Sequence, residues 1–229
     1  TALTLKRKNF FLDGLDFDFN IGYAIGRYGL CDKAMNRYDW DGNKLPPVSP
    51  YGGEQNNYPS DGNNHSKELT SKLNLEYTID KHHGVNLNVY FDRNSLHPKD
   101  PLMDKALGFQ SNFPSRMNTL TLALSYDLTL FEGRFQNAFT LKNYKFSSHS
   151  RSINVYSVSA PEPVSVSKSY FGFNDAMRYK LTNDWMVKAS FNSEVRIPTN
   201  EELIGNGYSI LASPALKPER TSGVNVGMM

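Results

Sequence analysis

Several features are scarce in this sequence of 229 residues. It has a single cysteine, Cys31, so an internal disulfide framework and a cysteine-based metal site are both excluded. No stretch approaches the roughly 18 consecutive apolar residues that a membrane-spanning helix needs. The formal net charge is +2 and the one short basic run is Lys6-Arg7-Lys8. With no basic stripe or block, a nucleic-acid partner is not predicted.

The missing apolar run leaves one class of membrane protein open. Strands of a transmembrane β-barrel alternate between lipid-facing and lumen-facing side chains, so such a chain is polar on average. Here the mean hydropathy is −0.53, yet aromatic residues make up 13%, with 13 Tyr and 14 Phe. Barrels place such residues in girdles at the two membrane interfaces, so this composition is compatible with a barrel.

Period-two alternation is the strongest pattern in the chain. From Leu15 to Ile25 every odd residue is large and apolar, and every even residue is small or polar. Because successive side chains of a strand point to opposite faces, the pattern predicts a strand with one apolar face. Seven further segments alternate in the same way and are predicted as strands: 69–79, 85–92, 119–130, 135–146, 171–181, 185–192 and 223–228.

Short and long connections alternate strictly between the predicted strands. The short ones are 80–83, 131–133 and 182–184, and the long ones are 27–64, 92–115, 147–169 and 196–219. Several predicted strands have about ten to thirteen residues, whereas a tilted strand needs roughly 9–11 to cross a bilayer. Short periplasmic turns and long extracellular loops are typical of outer-membrane barrels. The predicted fold class is therefore all-β, an antiparallel transmembrane β-barrel.

A soluble antiparallel sandwich is the structural alternative, because its strands also alternate. The polar face contains small residues such as Gly22, Ala24 and Gly26, which suit a wall facing a crowded lumen and favour the barrel. The strand assignment also places aromatic residues near both strand ends. Tyr28 and Phe146 are among those assigned to the girdle at the long-loop end.

The segment from Ser193 to Gly227 contains a more specific pattern. Its spaced residues are Arg196, Pro198, Glu202, Leu203, Pro214, Leu216, Lys217, Pro218 and Glu219, followed by a strand that ends at Gly227. In order and spacing the segment resembles the late-barrel motif of the TonB-dependent receptors. Ser213 departs from it, since the family commonly has asparagine before that proline. The prolines are predicted to lie in the loop or at the start of a strand, because proline interrupts strand pairing. We expect Arg196 and Glu202 to pair across this loop, and the motif to be structural.

The resemblance implies an outer-membrane receptor with a 22-stranded barrel whose lumen is filled by an N-terminal plug. It also implies active uptake of a large scarce solute, of the iron-chelate, cobalamin or glycan class, with energy relayed by TonB. On this basis residues 1–229 are expected to be part of a single β-barrel domain, about eight strands of it, cut at both ends and without the plug. TonB is expected to contact a region upstream of this chain, and outer-membrane lipid to contact the wall.

Candidate ligand-binding residues lie in the first long connection. Tyr38, Trp40, Tyr51 and Tyr58 are interleaved with Asn and Asp and could stack on a sugar or a chelate. Packing of this loop on its neighbours is the competing interpretation. The Asp39-Trp40-Asp41-Gly42 stretch resembles part of a calcium loop, but the later carboxylate ligands are missing, so no metal is predicted.

Catalysis is not predicted, and neither is a cofactor. No serine, histidine and aspartate fall on one strand face with the spacing of a catalytic triad. Two alternatives to a receptor stay open at this point. A passive outer-membrane porin would lack the Pro214-to-Glu219 pattern, and an outer-membrane barrel enzyme would need a catalytic site at the rim of the bilayer.

Overall fold

Nine antiparallel strands form one sheet in the computed structural model, which describes residues 1–33, 36–45, 59–108, 110, 113–152, 162–205 and 212–229. In the order of the sheet they are β1 (Ala2–Arg7), β2 (Leu15–Asp32), β5 (Ser60–Thr78), β6 (His83–Lys99), β7 (Ser115–Leu130), β8 (Phe135–Ser152), β9 (Glu162–Lys180), β10 (Met186–Arg196) and β11 (Glu219–Met228). Each strand pairs with its sequence neighbours in the sheet. Among the described residues β1 and β11 do not pair with each other, so the sheet is open.

The remaining elements lie in the connections. The hairpin of β3 (Arg37–Tyr38) and β4 (Lys44–Leu45) follows β2, helix α1 (Pro101–Leu107) follows β6, and helix α2 (Asn200–Ile204) follows β10. In the part of the chain that the structure describes, neither helix is long and apolar enough to cross a membrane. The fold is all-β, as predicted, and the helices occur only in the long connections.

One strand of the sheet was missed by the sequence analysis. Strand β1 has only six residues, in which Leu3 and Leu5 alternate with Thr4 and Lys6. It pairs with β2 so that Leu3 lies opposite Ile21 and Leu5 opposite Phe19. The expected count of about eight strands is therefore nine, because an alternation this short does not stand out from the sequence.

The register places the apolar residues of neighbouring strands directly opposite one another. One row across six strands consists of Phe17, Leu75, Leu87, Leu124, Leu141 and Phe173. Residues paired in this way share one face of the sheet. We call this side the apolar face and the other side the polar face. Leu124 and Leu141 are 50% and 52% exposed, so none of the described residues covers the centre of the apolar face.

One carboxylate interrupts the apolar face. Asp175 lies opposite Phe139 on one side and Phe191 on the other. Asn137 donates from Nδ2 to Asp175 Oδ1 at 2.6 Å and to the Ala176 carbonyl at 3.2 Å. The two polar side chains thus satisfy each other, which lowers the cost of placing them among aromatic residues.

The strands are longer than expected, and the long connections are correspondingly shorter. Six strands have 16 to 19 residues, and β6 continues to Lys99 where the sequence analysis expected a loop from residue 92. At about 3.3 Å per residue these strands extend well beyond the roughly 30 Å of bilayer hydrocarbon. Their far halves carry polar residues on both faces, so the alternation fades while the backbone ladder continues.

Gly172 marks the place where β10 passes close to β9. A Cβ atom at Gly172 would lie 2.8 Å from the Ser193 carbonyl oxygen and 3.2 Å from the Tyr144 ring. The bare backbone also lets Lys142 of β8 form an ion pair with Glu194 of β10 across it. Close packing at this point therefore depends on the absence of a side chain.

Gly172→Ala is expected to destabilise the sheet by about 1–3 kcal/mol, because the added methyl group overpacks this crossing. The measurement is the urea midpoint of unfolding of the full-length protein in detergent. Gly84→Ala is the matched control, since its Cβ would meet nothing closer than 3.7 Å. Equal midpoints for the two variants would contradict the close approach of β10 to β9.

Candidate functional site

Helix α2, in the connection between β10 and β11, packs on the polar face at the strand ends that carry the long connections. Helix α2 contacts β7 and β8 there. Its Leu203 and Ile204, which are 0% and 6% exposed, pack on three strand residues: Leu96, Met117 and Phe146. We call these five residues the mouth cluster. Because Leu203 and Ile204 are buried against the polar face, helix α2, which lies in the predicted loop 196–219, is packed on the sheet.

Two aromatic residues assigned to the long-loop girdle lie elsewhere, and that assignment was wrong. Phe146 is 1% exposed and belongs to the mouth cluster. Tyr28 lines a cavity on the polar face beside helix α2. Both residues occupy even positions on strands whose odd positions are apolar, so their side chains point away from the apolar face.

A capping box begins helix α2. The Thr199 side chain accepts a hydrogen bond from the Glu202 N–H, and Glu202 Oε2 accepts one from the Thr199 N–H at 2.6 Å. This reciprocal pair satisfies two backbone donors that the first turn of a helix leaves free. The pattern fixes the start of the helix and directs Leu203 towards the sheet.

Arg196 connects three parts of the motif. Its guanidinium donates to both carboxylate oxygens of Glu219 at 2.9 and 3.0 Å, and to both oxygens of Glu202 at 3.4 Å. Arg196 and Glu219 are also register partners at the adjoining ends of β10 and β11. The expected pairing of Arg196 with Glu202 is confirmed, and Glu219 is the closer partner. The arginine thereby joins both strand ends to helix α2.

The other motif residues lie around this arginine. Pro198 and Pro214 are buried, and Pro218 immediately precedes β11. Leu203 is buried in the mouth cluster, whereas Leu216 and Lys217 are exposed. The Ser213 N–H donates to the Glu202 carbonyl at 3.2 Å, which ties the returning segment to the helix. The structural role of these nine motif residues stays a prediction.

The attachment of helix α2 is expected to weaken in acid. The Thr199 backbone N–H and, next, the Arg196 guanidinium hold the pKa of Glu202 below its usual range. A lowered pKa stabilises the folded segment above the unfolded pKa of about 4.3, and that stabilisation is lost as the pH falls through the lower folded value. Hydrogen exchange of the α2 amides is measured from pH 6 to 3. Their protection factors, which are the intrinsic exchange rates divided by the observed ones, should therefore fall as the pH falls through this window. In Glu202→Gln, whose side chain at residue 202 cannot titrate, the protection factors should not change with pH in this way.

Helix α1 is anchored on the neighbouring strand by one buried carboxylate. Asp100 is 4% exposed and caps the helix by accepting from the Met103 N–H at 3.0 Å. It also accepts from the Asp61 N–H at 3.1 Å and from the Ser60 hydroxyl at 2.5 Å. These bonds attach α1 to the end of β5, so both helices are held at this end of the sheet.

A cavity of about 380 Å³ lies between helix α2 and the polar face. Its size falls within the range of small-molecule sites, which is roughly 300–1,000 Å³. Apolar residues of the mouth cluster form one side and polar groups the other. The lining includes Tyr28, Ser66, Asn94, Asn200, Glu201 and Ile204. Hydroxyl, amide and carboxylate groups converging on an apolar floor can orient a polar solute.

Two of the four aromatic candidates, Tyr38 and Trp40, lie in the described part of the chain. Tyr38 is 49% exposed on β3, and Trp40 is fully exposed at the tip of the β3–β4 hairpin. Tyr51 and Tyr58 lie outside the described residues. The hairpin does not bring Tyr38 or Trp40 into the cavity lining, so these two and the cavity are separate candidates.

The calcium-like stretch is an ordinary turn. The Asp39 carboxylate accepts from the Asp41 and Asn43 N–H groups at 3.0 and 2.8 Å and from Asn43 Nδ2 at 3.0 Å. These donors hold the pKa of Asp39 below its usual range, with the Asn43 side chain as the largest cause. Such a turn presents Trp40 outward. Over the described ranges, no three His, Cys, Asp or Glu side chains are arranged to hold a metal ion.

One histidine contacts a serine. His149 Nδ1 lies 2.7 Å from Ser165 Oγ on the apolar-face side of β8 and β9. Nucleophilic catalysis would require a third group that orients the histidine, and in the described segments no carboxylate forms a hydrogen bond or ion pair with His149. The pair is a cross-strand hydrogen bond between exposed side chains.

The cavity residues Tyr28, Asn94 and Asn200 were not predicted from the sequence. The Thr199-to-Glu202 capping box was the available signal, since a Ser or Thr followed three residues later by Glu predicts a helix start. Asn94 and Tyr28 line the same cavity as that helix only because of where the helix packs on the sheet. No local pattern in the sequence specifies that packing position.

A family model described as "TonB dependent receptor-like, beta-barrel" matches residues 2–228. Neither a search of curated proteins nor a search of solved structures gave a match. The matched family consists of outer-membrane receptors and transporters of Gram-negative bacteria, which work with TonB and contact outer-membrane lipid. The match covers the nine-stranded sheet, both helices and the Arg196-to-Glu219 motif. This chain therefore belongs to the TonB-dependent receptor-like β-barrels and is an outer-membrane protein of the receptor and transporter type.

Proposed function

We propose that this chain forms part of the wall and the outer mouth of a receptor that actively imports a large scarce solute, of the iron-chelate, cobalamin or glycan class. In this proposal the apolar face contacts lipid, and the polar face contacts the lumen. Further strands complete the barrel at the free edges of β1 and β11, and a plug fills it. TonB contacts a region of the same receptor outside this chain.

The observation that carries the solute class is the aromatic tip of the β3–β4 hairpin. Trp40 is fully exposed and Tyr38 is 49% exposed, while the Asp39 carboxylate holds the turn between residues 39 and 43. Flat aromatic faces bury large area at low entropic cost and suit sugars and planar chelates. We propose that Tyr38 and Trp40, together with Tyr51 and Tyr58, make the first contact with the solute.

The cavity under helix α2 supports a second step in the same process. It opens on the polar face, and Tyr28, Asn94, Asn200 and Glu201 supply both donors and acceptors. Glu194 and Lys142 form an ion pair lower on the same face. We propose that a solute captured at the hairpin passes to this cavity at the mouth.

The test is uptake by cells that carry the complete receptor. Growth under limiting supply is measured with a panel of ferric chelates, cyanocobalamin and oligosaccharides, with and without TonB. One class is expected to be taken up in a TonB-dependent manner, and Trp40→Ala is expected to lower uptake at limiting concentration by about tenfold, the effect of losing one aromatic contact of about 1–2 kcal/mol. Trp185→Ala is the matched control, because Trp185 is also exposed but lies at the opposite end of the sheet.

Three outcomes separate the hypotheses. Uptake that persists without TonB identifies a passive porin and overturns active transport. TonB-dependent uptake that Trp40→Ala leaves unchanged overturns the role of the hairpin. An equal loss with Trp185→Ala attributes the effect to folding rather than to solute capture.

A further inference from the structure

We propose that the apolar-face side of this sheet carries a binding site for phosphate-bearing lipid headgroups of the outer leaflet. The site is a line of four cations, Arg27 of β2, Lys67 of β5, Arg93 of β6 and Lys145 of β8, which we call the cation line. All four side chains are exposed. In the described part of the chain, none of them forms an ion pair.

The register shows that the cation line is diagonal to the strands. A row is a set of register partners on the apolar-face side, and one row is below another when it lies nearer the short-turn ends of the strands. Arg27 pairs with His65, and Lys67 lies one row below on the same strand as His65. Lys67 pairs with Ser95, and Arg93 lies one row below that. Arg93 pairs with Asn118, and the next row down pairs Leu120 with Lys145. The line thus descends three rows while it crosses four strand spacings.

This slope corresponds to a constant height in the membrane. Three rows of two residues are about 20 Å along the strands, and four spacings are about 19 Å across them, so the line makes an angle of about 45° with the strands. Strands of transmembrane barrels are tilted by about 35–45°. A line at this angle runs parallel to the bilayer surface when it slopes in the direction of the tilt.

The edge of the apolar band gives that direction. The last large apolar residues on the same face are Ile25 of β2, Leu69 of β5 and Phe91 of β6, and each lies two residues from a cation of the line. On β8 the last one is Leu141, two rows below Lys145. The apolar edge therefore descends together with the cations. Groups immediately above the hydrocarbon edge lie at the level of lipid headgroups.

Charge is segregated between the two faces in this region. On the apolar-face side of β2, β5, β6, β7 and β8, the described residues include one carboxylate, Asp61, and it pairs with Lys33 at 2.7 Å. Carboxylates on the polar face of the same strands include Asp16, Asp18, Glu68, Glu76 and Asp92. Arg116 adds another exposed cation one row above Arg93, on β7. The field at the headgroup level is thus positive and unscreened by neighbouring acids.

The chemistry of the line favours phosphates. Arginine and lysine bind phosphate through charge-assisted hydrogen bonds, and basic residues near an anionic membrane surface each contribute to binding. In the backbone Arg27 and Lys67, and likewise Lys67 and Arg93, are about 8 Å apart, which lets two of them share one phosphate group, whereas Lys145 lies about 12 Å from Arg93. The whole line fits a headgroup with two phosphates better than a single free anion.

The test is lipid binding by the complete receptor in detergent, measured by native mass spectrometry. The probe is bisphosphorylated lipid A, with phosphatidylethanolamine as the zwitterionic comparison and inorganic pyrophosphate as the free anion. The variant is Lys67→Gln/Arg93→Gln/Lys145→Gln. The matched control, Lys168→Gln/Arg178→Gln/Lys188→Gln, removes the same three charges from exposed polar-face residues.

The cation-line variant is expected to bind bisphosphorylated lipid A roughly a hundredfold more weakly, and the control within about twofold of the unaltered receptor. Phosphatidylethanolamine binding should be the same for all three proteins. Unchanged lipid A binding by the cation-line variant would overturn the proposal, as would an equal loss in the control. Displacement of lipid A by equimolar pyrophosphate would overturn it too, because the site would then be one for free phosphate.

Discussion

Leu203→Ala is expected to release helix α2 from the sheet while leaving the strands intact. Leu203 is 0% exposed at the centre of the mouth cluster. Removing such a side chain costs about 2–5 kcal/mol, because apolar contacts are lost and a cavity remains. Native-state hydrogen exchange at residues 200–205 of the complete receptor should accelerate at least about twentyfold. The strand amides of β7 and β8 should keep their protection, since the ladder holds them independently.

Leu216→Ala is the matched control for this variant. Leu216 belongs to the same connection but is 42% exposed. Its truncation should change the same exchange rates by less than about threefold, as is usual for surface substitutions. Similar acceleration in both variants would show that the helix is not held by the mouth cluster.

Leu124→Arg is expected to destabilise the receptor in a bilayer by about 2–4 kcal/mol. Leu124 is 50% exposed, and in a water-soluble sheet an arginine there would be tolerated. It lies near the middle of the apolar stretch of β7, where a charge must enter lipid. Ser125→Arg, one residue further along the strand, points to the polar face and should cost about 0.5–1.5 kcal/mol, the value of its hydrogen bond to Thr140.

Unfolding free energies of the two variants in lipid vesicles give the comparison directly. The arginine on the apolar face should be clearly the more damaging. A larger penalty at Ser125 than at Leu124 would reverse the assignment of the two faces.

On the long strands, the half that carries the alternating apolar residues was predictable from the sequence. On β6 the residues Val85, Leu87, Val89 and Phe91 alternate with polar ones, because lipid requires apolar side chains on one face. From Arg93 to Lys99 no such requirement holds, and both faces carry polar residues. The strand continues there on backbone hydrogen bonds, which leave no trace in side-chain hydropathy. The loops were therefore predicted too long.

The alternation also contains the information needed to assign Phe146 and Tyr28 to a face of the sheet. Phe139 and Leu141 fix the odd residues of β8 on the apolar face, so Phe146 falls on the polar face by parity alone. The girdle assignment used only height along the strand. Parity was sufficient to place both aromatic residues on the polar face, although it could not show that Phe146 would be buried there.

The mouth depends on contacts that are distant in sequence. The capping box of Thr199 and Glu202 predicts a helix, and Leu203 predicts that this helix has an apolar contact. Its partners Leu96, Met117 and Phe146 come from three different strands. The register and the packing position of helix α2 decide which polar-face residues contact Leu203. Local sequence propensity encodes neither.

Contact of the apolar face with lipid is tested most directly by a spin-label scan along β7. Single cysteines at residues 119–128 of the complete receptor, in a Cys31→Ser background, are labelled and reconstituted into bilayers. Even-numbered positions such as Leu122 and Leu124 should be accessible to oxygen and shielded from a water-soluble nickel chelate, and odd-numbered positions should show lower oxygen accessibility. Uniform accessibility along the strand, or nickel access at residues 122 and 124, would contradict that contact.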